Sequence, residues 1–148
     1  MTGNVIHPGI TARKSNVPTQ RPSTIRLRAS LLDEANAIVD REYASELSLD
    51  DIARRVASSR RQLQRAYAEI GGTTFRDHLT RIRMDRAAEM LAARAFTVRE
   101  VAHRVGYRQP AQFAKAFRRY RGMAPSDYRA GAHALSGPDP GLETRAAA

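Results

Sequence analysis

Apolar residues recur at intervals of three and four through the middle of the chain, which is the spacing of amphipathic helices. Three of these runs follow a residue that can cap a helix, namely Ser30, Ser48 and Thr97, and an acidic residue lies three positions after each cap. The polar–apolar alternation that predicts β-strands is nearly absent. The pattern therefore predicts an all-α protein.

One long helix is predicted at the centre of the chain. Gly71-Gly72 ends the helix before it, Thr74 can cap it, and its pattern continues to Arg94. About 20 helical residues reach roughly 30 Å. The apolar stripe changes side part-way, from Phe75, Leu79 and Ile82 to Met84, Ala87, Ala88 and Leu91. We expect a rigid joint between two small bodies; the alternative is a helix buried on two sides of a single core.

An internal repeat organises the predicted helices. Residues 52–56, IARRV, match residues 101–105, VAHRV. Later matches are shifted by one more residue, so the turn of the second copy has one extra residue. The later matches pair Leu63, Tyr67, Ile70, Gly72 and Asp77 of the first copy with Phe113, Phe117, Tyr120, Gly122 and Asp127 of the second. Each copy has a short helix, a tight turn and a longer helix, and Gly122 with Pro125 ends the last long one. This is the layout of a helix-turn-helix.

The longer helix of the first copy has two different faces. Its predicted core side is formed by Leu63, Ala66, Tyr67 and Ile70. The other side and the N-terminal end are basic and amide-bearing, with Arg60, Arg61, Gln62, Gln64 and Arg65. Arginine can bridge O6 and N7 of guanine, and glutamine can bridge N6 and N7 of adenine, so this face suits a helix in a major groove. The alternative is the solvated basic face of an ordinary bundle.

The second copy has the same division. Its predicted core stripe is Phe113, Phe117 and Tyr120, and the polar residues of its turn and outer face are Arg108, Gln109, Gln112, Lys115, Arg118 and Arg119. Pro110 fits the first turn of a helix. Ala111 offers a base only an apolar contact, to a thymine methyl, so poorer base readout is expected here. Two basic faces at equivalent repeat positions favour a nucleic-acid ligand over coincidence.

Charge and composition agree with this expectation. The 148 residues include 25 basic and 15 acidic ones, a net charge of +10, which favours a polyanionic partner. A GC-rich coding sequence would also raise the arginine content. Residues 1–29 are proline-containing and basic, and predict a disordered arm; residues 131–148 predict a disordered tail. The folded domain is then expected to span residues 30–130.

Several classes of function are disfavoured. The absence of cysteine excludes thiolate catalysis, disulfides and cysteine-based zinc sites, and the four histidines are scattered. We expect no metal, no cofactor and no catalytic residue, since phosphate-loop and nucleophile-elbow motifs are absent too. The adjacent pair Asp77-His78 is interpreted as structural, because neighbouring helix positions diverge by about 100°. Without a membrane span or a secretory core, a soluble cytoplasmic protein is expected.

Residues 49–129 resemble the DNA-binding domain of the AraC/XylS family of bacterial transcription regulators. The matching stretches are LSLDDIARRVASSRRQLQRAY, TFRDHLTRIRMDRAAEML and TVREVAHRVGYRQPAQFAKAFRRYRGMAPSDYR. The last is the most specific, because a helix-turn-helix followed by FRRYRGMAPSDYR is close to the signature of that family.

The resemblance implies about seven helices in two helix-turn-helix subdomains joined by the long central helix. Each subdomain would place one recognition helix in successive major-groove segments. By position, the base-reading residues are Arg61, Gln64 and Arg65 in the first helix and Gln109, Gln112 and Lys115 in the second. The phosphate-facing residues are Arg60, Arg118 and Arg119. Pro110 and Ala111 depart from the polar residues usual in the family, which weakens the transfer for the second helix.

The resemblance also implies a partner and a mode of action. We expect a sequence-specific regulator of transcription, an activator, which binds double-stranded DNA as a monomer and contacts RNA polymerase. The layout is similar to the single-domain members MarA and SoxS; in a truncated or partner-controlled member the arm would instead be a remnant linker. The competing hypothesis is a non-specific architectural DNA-binding protein. The ratio of specific to random-site affinity separates the two.

Overall fold

The computed structural model describes residues 21–134, and this part of the chain forms seven α-helices and no β-strand. They are α1 Pro22–Glu42, α2 Leu49–Arg55, α3 Arg60–Glu69, α4 Phe75–Ala93, α5 Val98–Arg104, α6 Pro110–Arg121 and α7 Pro125–Ala134. The predicted all-α fold is confirmed, with α2–α3 and α5–α6 as the two helix-turn-helix pairs. Within the described residues, no helix has the length and apolar character needed to cross a membrane.

The buried side chains form two hydrophobic cores, one on each side of the middle of α4. The first core contains residues of α1, α2 and α3 together with Leu79 of α4, and Phe75 and Ile82 pack against it. The second core contains residues of α5 and α6 with four residues of α4: Met84, Ala87, Ala88 and Leu91. The predicted change of side along α4 is therefore correct, and the single-core alternative is wrong. We call the two bodies the first unit (α1–α3) and the second unit (α5–α7).

The helix starts at Ser48, Thr74 and Thr97 are confirmed. Each hydroxyl accepts a hydrogen bond from the backbone N–H three residues later, at 3.1, 3.1 and 3.2 Å. Glu100 completes a capping box, because its carboxylate accepts from the backbone N–H of Thr97 at 2.7 Å. These bonds satisfy amide groups that the first turn of a helix leaves without a partner. At the other end, Gly122 closes α6 in the left-handed conformation, with φ 77°.

The predicted start of the first helix is wrong. α1 begins at Pro22, whose fixed φ suits the first helical position, and Ser30 lies inside the helix. The extra turns run along α3, where Arg28 forms an ion pair with Glu69. The predicted arm 1–29 is therefore helical from residue 22, and residues 1–20 lie outside the described part. Of the predicted tail, residues 131–134 belong to α7 and the remainder lies outside.

Two residues of the predicted core stripes are also misplaced. Ile70 is 38% exposed and Tyr120 is 40% exposed, whereas the other members of the two stripes are buried. Both lie at the C-terminal end of their helices, where the core tapers to the surface. The Tyr120 hydroxyl donates to the backbone oxygen of Asp77 at 3.1 Å, so this ring lies across the start of α4 with its polar end satisfied.

Candidate nucleic-acid interface

Each recognition helix is positioned by a tight turn with one residue in the left-handed region. In the first unit this residue is Ala57, with φ 52°, and the backbone N–H of Ser58 donates to Ala53 at 2.8 Å. In the second unit it is Gly106, with φ 91°, and Tyr107 donates to Ala102 at 2.9 Å. Ala57 and Gly106 occupy equivalent positions in the repeat, although the second turn is one residue longer. In both units the left-handed residue lies in the turn between the short helix and the recognition helix.

The α3 helix has the amphipathic division that the sequence predicts. Leu63, Ala66 and Tyr67 are buried in the first core. All the predicted contact residues are exposed: Arg60, Arg61, Gln62, Gln64 and Arg65. Ser59 caps the helix by accepting from the backbone N–H of Gln62 at 3.1 Å, and this bond holds the backbone of the first turn.

The α6 helix shows the same division. Phe113 and Phe117 are buried, with ring centroids 5.7 Å apart. The predicted contact residues of the turn and helix are all exposed: Arg108, Gln109, Gln112, Lys115, Arg118 and Arg119. Pro110 is the first helical residue, as expected. The cap residue Gln109 makes no side-chain hydrogen bond to the helix. The first backbone N–H groups of α6 therefore have no acceptor from that side chain.

Two of the predicted contact residues form ion pairs with acidic residues that the sequence pattern does not indicate. Arg60 pairs with Asp50 of α2 at 2.7 Å, and Arg108 pairs with Glu46 in the α1–α2 loop. All four side chains are more than half exposed, so these pairs contribute little to stability and exchange readily with solvent. They are compatible with release of both arginines to a competing phosphate.

The two recognition helices border adjoining clefts on the surface of α4. One cleft, of about 590 Å³, is lined by Arg60 and Gln64 of α3; the other, of about 630 Å³, is lined by Gln112, Lys115 and Arg119 of α6. Both clefts are also lined by Arg76, Thr80 and Tyr107. The structure thus places part of each predicted set of DNA-contacting residues on the same side of the molecule.

The remaining predicted residues lie elsewhere on the two recognition helices. Arg61, Gln62 and Arg65 line a third cleft, of about 520 Å³, between α3 and α1. Gln109 and Arg118 are exposed but are not among the residues that line the two clefts on α4. Arg76 and Thr80 were missed by the sequence analysis. Only their position on the long central helix, between the two repeats, could have suggested them as residues that contact DNA.

The pair Asp77-His78 has a structural role, as interpreted from the sequence. Asp77 is exposed and accepts from the Thr74 hydroxyl at 3.0 Å, whereas His78 is buried with its Nδ1 atom 3.4 Å from the Tyr67 hydroxyl. Burial raises the pKa of Tyr67 to about 12 and lowers the pKa of His78. In the described part of the chain, no group of three or more histidine and acidic side chains could hold a metal ion.

Comparison with known proteins identifies the family. A family model described as a helix-turn-helix domain matches residues 52–131. A crystal structure described as an AraC-type DNA-binding regulator from Chromobacterium violaceum superposes with a TM-score of 0.67, at 26% identity, covering 74% of this chain and 96% of that one. The chain belongs to the AraC family. It therefore contains the DNA-binding helix-turn-helix domain of an AraC-type transcription regulator.

Further transcription regulators extend the comparison. The DNA-binding domain of AdpA, solved in complex with a target DNA, gives a TM-score of 0.68 at 29% identity and covers 73% of this chain and 97% of that one. The transcriptional activator AarP of Providencia stuartii is 30% identical over 104 residues, which are 70% of this chain and 77% of AarP. The Msm operon regulatory protein of Streptococcus mutans is 26% identical over 98 residues, 66% of this chain. The chain spans only 35% of the length of that relative and 13% of the Bacillus subtilis regulator YtdP.

Proposed function

We propose that this AraC-type regulator binds a specific promoter sequence by inserting α3 and α6 into successive major-groove segments. The observation that carries the proposal is the pair of adjoining clefts on α4. An edge of α3 borders one cleft and an edge of α6 borders the other, so both helices can approach one face of a duplex. Major-groove segments on one face of B-DNA recur about every 34 Å, and the 19-residue helix α4 is about 28 Å long at 1.5 Å per residue.

The side chains on the two helices divide into base-reading and phosphate-binding groups under this proposal. Arg61, Gln64 and Arg65 carry the readout in the first unit, and Gln109, Gln112 and Lys115 carry it in the second. Arg60, Arg118 and Arg119 position the protein on phosphates. The exposed residues Arg108 and Gln62 lie next to these sets and supply further polar contacts.

The proposed effect on transcription is activation, through contact of the DNA-bound monomer with RNA polymerase. Two of the relatives are named activators, AarP and the lactose operon transcription activator of Staphylococcus xylosus. On this chain α1 carries the exposed acidic residues Asp33 and Asp40. Its third exposed acid, Glu34, lines the cleft between α1 and α3 next to Arg61 and Arg65. Transcription in vitro from a promoter that carries the selected site measures the direction of the effect.

Selection of bound duplexes from a random pool, with the full chain, tests the DNA-binding part. The expected result is one motif with two conserved segments about one helical turn apart. Recovery of no motif, with uniform affinity for all duplexes, would establish the competing function, a non-specific architectural DNA-binding protein.

A matched pair of arginine variants tests the assignment of roles. Arg65→Ala should cost about 1 to 3 kcal/mol at the selected site and relax the preference at one or two base pairs, as a base-edge contact does. Arg118→Ala should weaken binding to all sequences to a similar extent and reduce the salt dependence. Equal and uniform losses in both variants would contradict base readout by Arg65.

A further inference from the structure

The first turns of α4 form the surface between the two recognition helices. Arg76 and Thr80 lie one helical turn apart, and both line the cleft next to α3 and the cleft next to α6. The Thr80 hydroxyl donates to the backbone oxygen of Arg76 at 2.9 Å, so its hydrogen is already used inside the helix. Arg76 is therefore the side chain of this pair that is available to donate to a ligand.

The electrostatic surroundings of Arg76 are strongly basic. Arg60 lies across one cleft, and Lys115 and Arg119 lie across the other. The acid nearest in sequence, Asp77, also lines the second cleft, but its carboxylate accepts from Thr74 at the helix cap. Among the described residues, Arg76 forms no ion pair, in contrast to Arg60. The two clefts are thus lined by five basic side chains and one acidic one, and this excess raises the local potential for an anion.

A duplex bound by two helices in successive major grooves presents a particular element to the surface between them. That element is the intervening minor groove, flanked by its two phosphate backbones. Arginine donates two parallel hydrogen bonds to a phosphate, and such contacts position a protein without reading sequence. The position and the chemistry of Arg76 both fit this phosphate.

We propose that Arg76 binds a backbone phosphate in the DNA segment between the two recognition helices. The inference rests on the proposed function, because it requires that α3 and α6 occupy the same duplex. Arg76 then adds a third anchor, on the joint helix itself, and links the two half-sites through the backbone that connects them. The contact adds affinity for the composite site and carries no base preference.

The test combines a protein variant with neutralised phosphates. Full-length protein and Arg76→Ala are titrated against the selected duplex, in which each phosphate between the half-sites is replaced in turn by an uncharged methylphosphonate. We expect Arg76→Ala to lose about tenfold in affinity, as for one hydrogen-bonded contact between charged groups. One or two central methylphosphonates should weaken the wild-type protein by a similar factor and have no further effect on Arg76→Ala.

Salt dependence gives a second readout, which a merely structural role would not change in this way. Arg76→Ala should lower the slope of log affinity against log salt by about 0.9, the value for one phosphate. Arg76→Lys should restore most of the slope because it keeps the charge. The control is Arg81→Ala, which removes an exposed arginine of α4 that is not among the residues lining the two clefts; its affinity and slope should equal those of the wild type.

The outcomes separate the two proposals. Normal motif selection with unchanged affinity and salt slope in Arg76→Ala would overturn the phosphate contact and leave the proposed function standing. A changed motif in Arg76→Ala would also overturn it, because Arg76 would then read a base. Failure of the wild-type protein to select any motif would overturn the proposed function itself. Circular dichroism and thermal melting confirm that each variant is folded.

Discussion

The two helix-turn-helix units have the same backbone plan but are held in place differently. The turn of the first unit is open around Ala57, whereas the turn of the second unit is pressed against the loop between α1 and α2. A Cβ atom added to Gly106 would lie 2.8 Å from the backbone oxygen of Ala44 and 3.0 Å from the Arg83 guanidinium. The second turn therefore both orients α6 and forms part of the junction with the first unit.

Arg83 of α4 is the centre of this junction. Its guanidinium donates to the backbone oxygens of Tyr43 and Ser45, at 2.7 and 2.9 Å, and lies 5.7 Å from the centroid of the Tyr107 ring. Partial burial lowers the pKa of Arg83, although an arginine remains charged under all ordinary conditions. Arg83 thus links α4 to the loop of the first unit and to the turn of the second unit.

The two cores differ as well. The first core encloses a polar contact, in which the Tyr67 hydroxyl lies 3.3 Å from the Asn36 side chain and 3.4 Å from His78. The second core is aromatic: Phe117 packs against Phe113 and, edge to face, against Tyr128 at 5.3 Å. Stability of the second unit should therefore depend on ring packing, and that of the first should also depend on protonation.

The largest expected effect is the loss of a ring from the second core. Phe117→Ala should lower the free energy of unfolding by about 3 to 5 kcal/mol, because the ring is fully buried and the cavity it leaves cannot collapse against rigid helices. Urea denaturation measures the change. Tyr120→Ala, on the same helix but 40% exposed, is the control and should cost much less. Equal losses in the two variants would contradict the placement of the core.

The next effect concerns the junction. Inserting one alanine between Ile82 and Arg83 advances the second unit by about 1.5 Å and rotates it by about 100°, which also removes Arg83 from the loop carbonyls. Specific affinity should fall at least about a hundredfold, toward that of a single unit, while random-sequence binding, mostly phosphate contact, survives. Gel shift and footprinting measure both.

Circular dichroism is the control for this insertion, because it also displaces apolar residues of α4. An insertion variant that is folded, and that keeps the wild-type affinity and footprint, would show that the two units act as independent tethered domains.

A pair of opposite substitutions compares the turns directly. Gly106→Ala should destabilise the protein by about 2 kcal/mol or more, since alanine at φ 91° is strained and its Cβ would contact a backbone oxygen. Ala57→Gly should instead stabilise it by about 0.5 to 1 kcal/mol, because relief of the left-handed strain at φ 52° exceeds the entropic cost of glycine. Thermal denaturation of both variants decides the comparison; a change of the same sign in both would refute it.

The local features of the fold were predictable because neighbouring residues encode them. The caps at Ser48, Thr74 and Thr97 and the change of stripe along α4 depend on residues within a few positions of each other. The conformation of Ala57 could not be predicted from alanine itself, which rarely adopts positive φ. Only its alignment with Gly106 in the repeat signals it.

The features that were missed depend on contacts between distant parts of the chain. The early start of α1 is supported by packing on α3 and by the pair of Arg28 with Glu69, which lie 41 positions apart. The acids beside Arg60 and Arg108, and the position of Arg76 between the two recognition helices, likewise follow from tertiary packing. Sequence spacing thus predicts which face of each recognition helix is polar, but the surface that lies between the helices requires the structure.

The smallest expected effect is the pH dependence of the first core. Burial, with a further contribution from Arg81, holds the pKa of His78 below its usual value of 6.5. At pH values between the lowered pKa of folded His78 and 6.5, the unfolded chain binds a proton at this histidine more readily than the folded chain does. The stability that neutral, buried His78 contributes is therefore present above pH 6.5 and is lost as the pH falls. Urea denaturation from pH 7.5 to pH 5.5 should show a shallow decline, which His78→Phe removes. His103→Gln changes an exposed histidine of the second unit and should retain the decline; a decline that persists in His78→Phe would assign it to other groups.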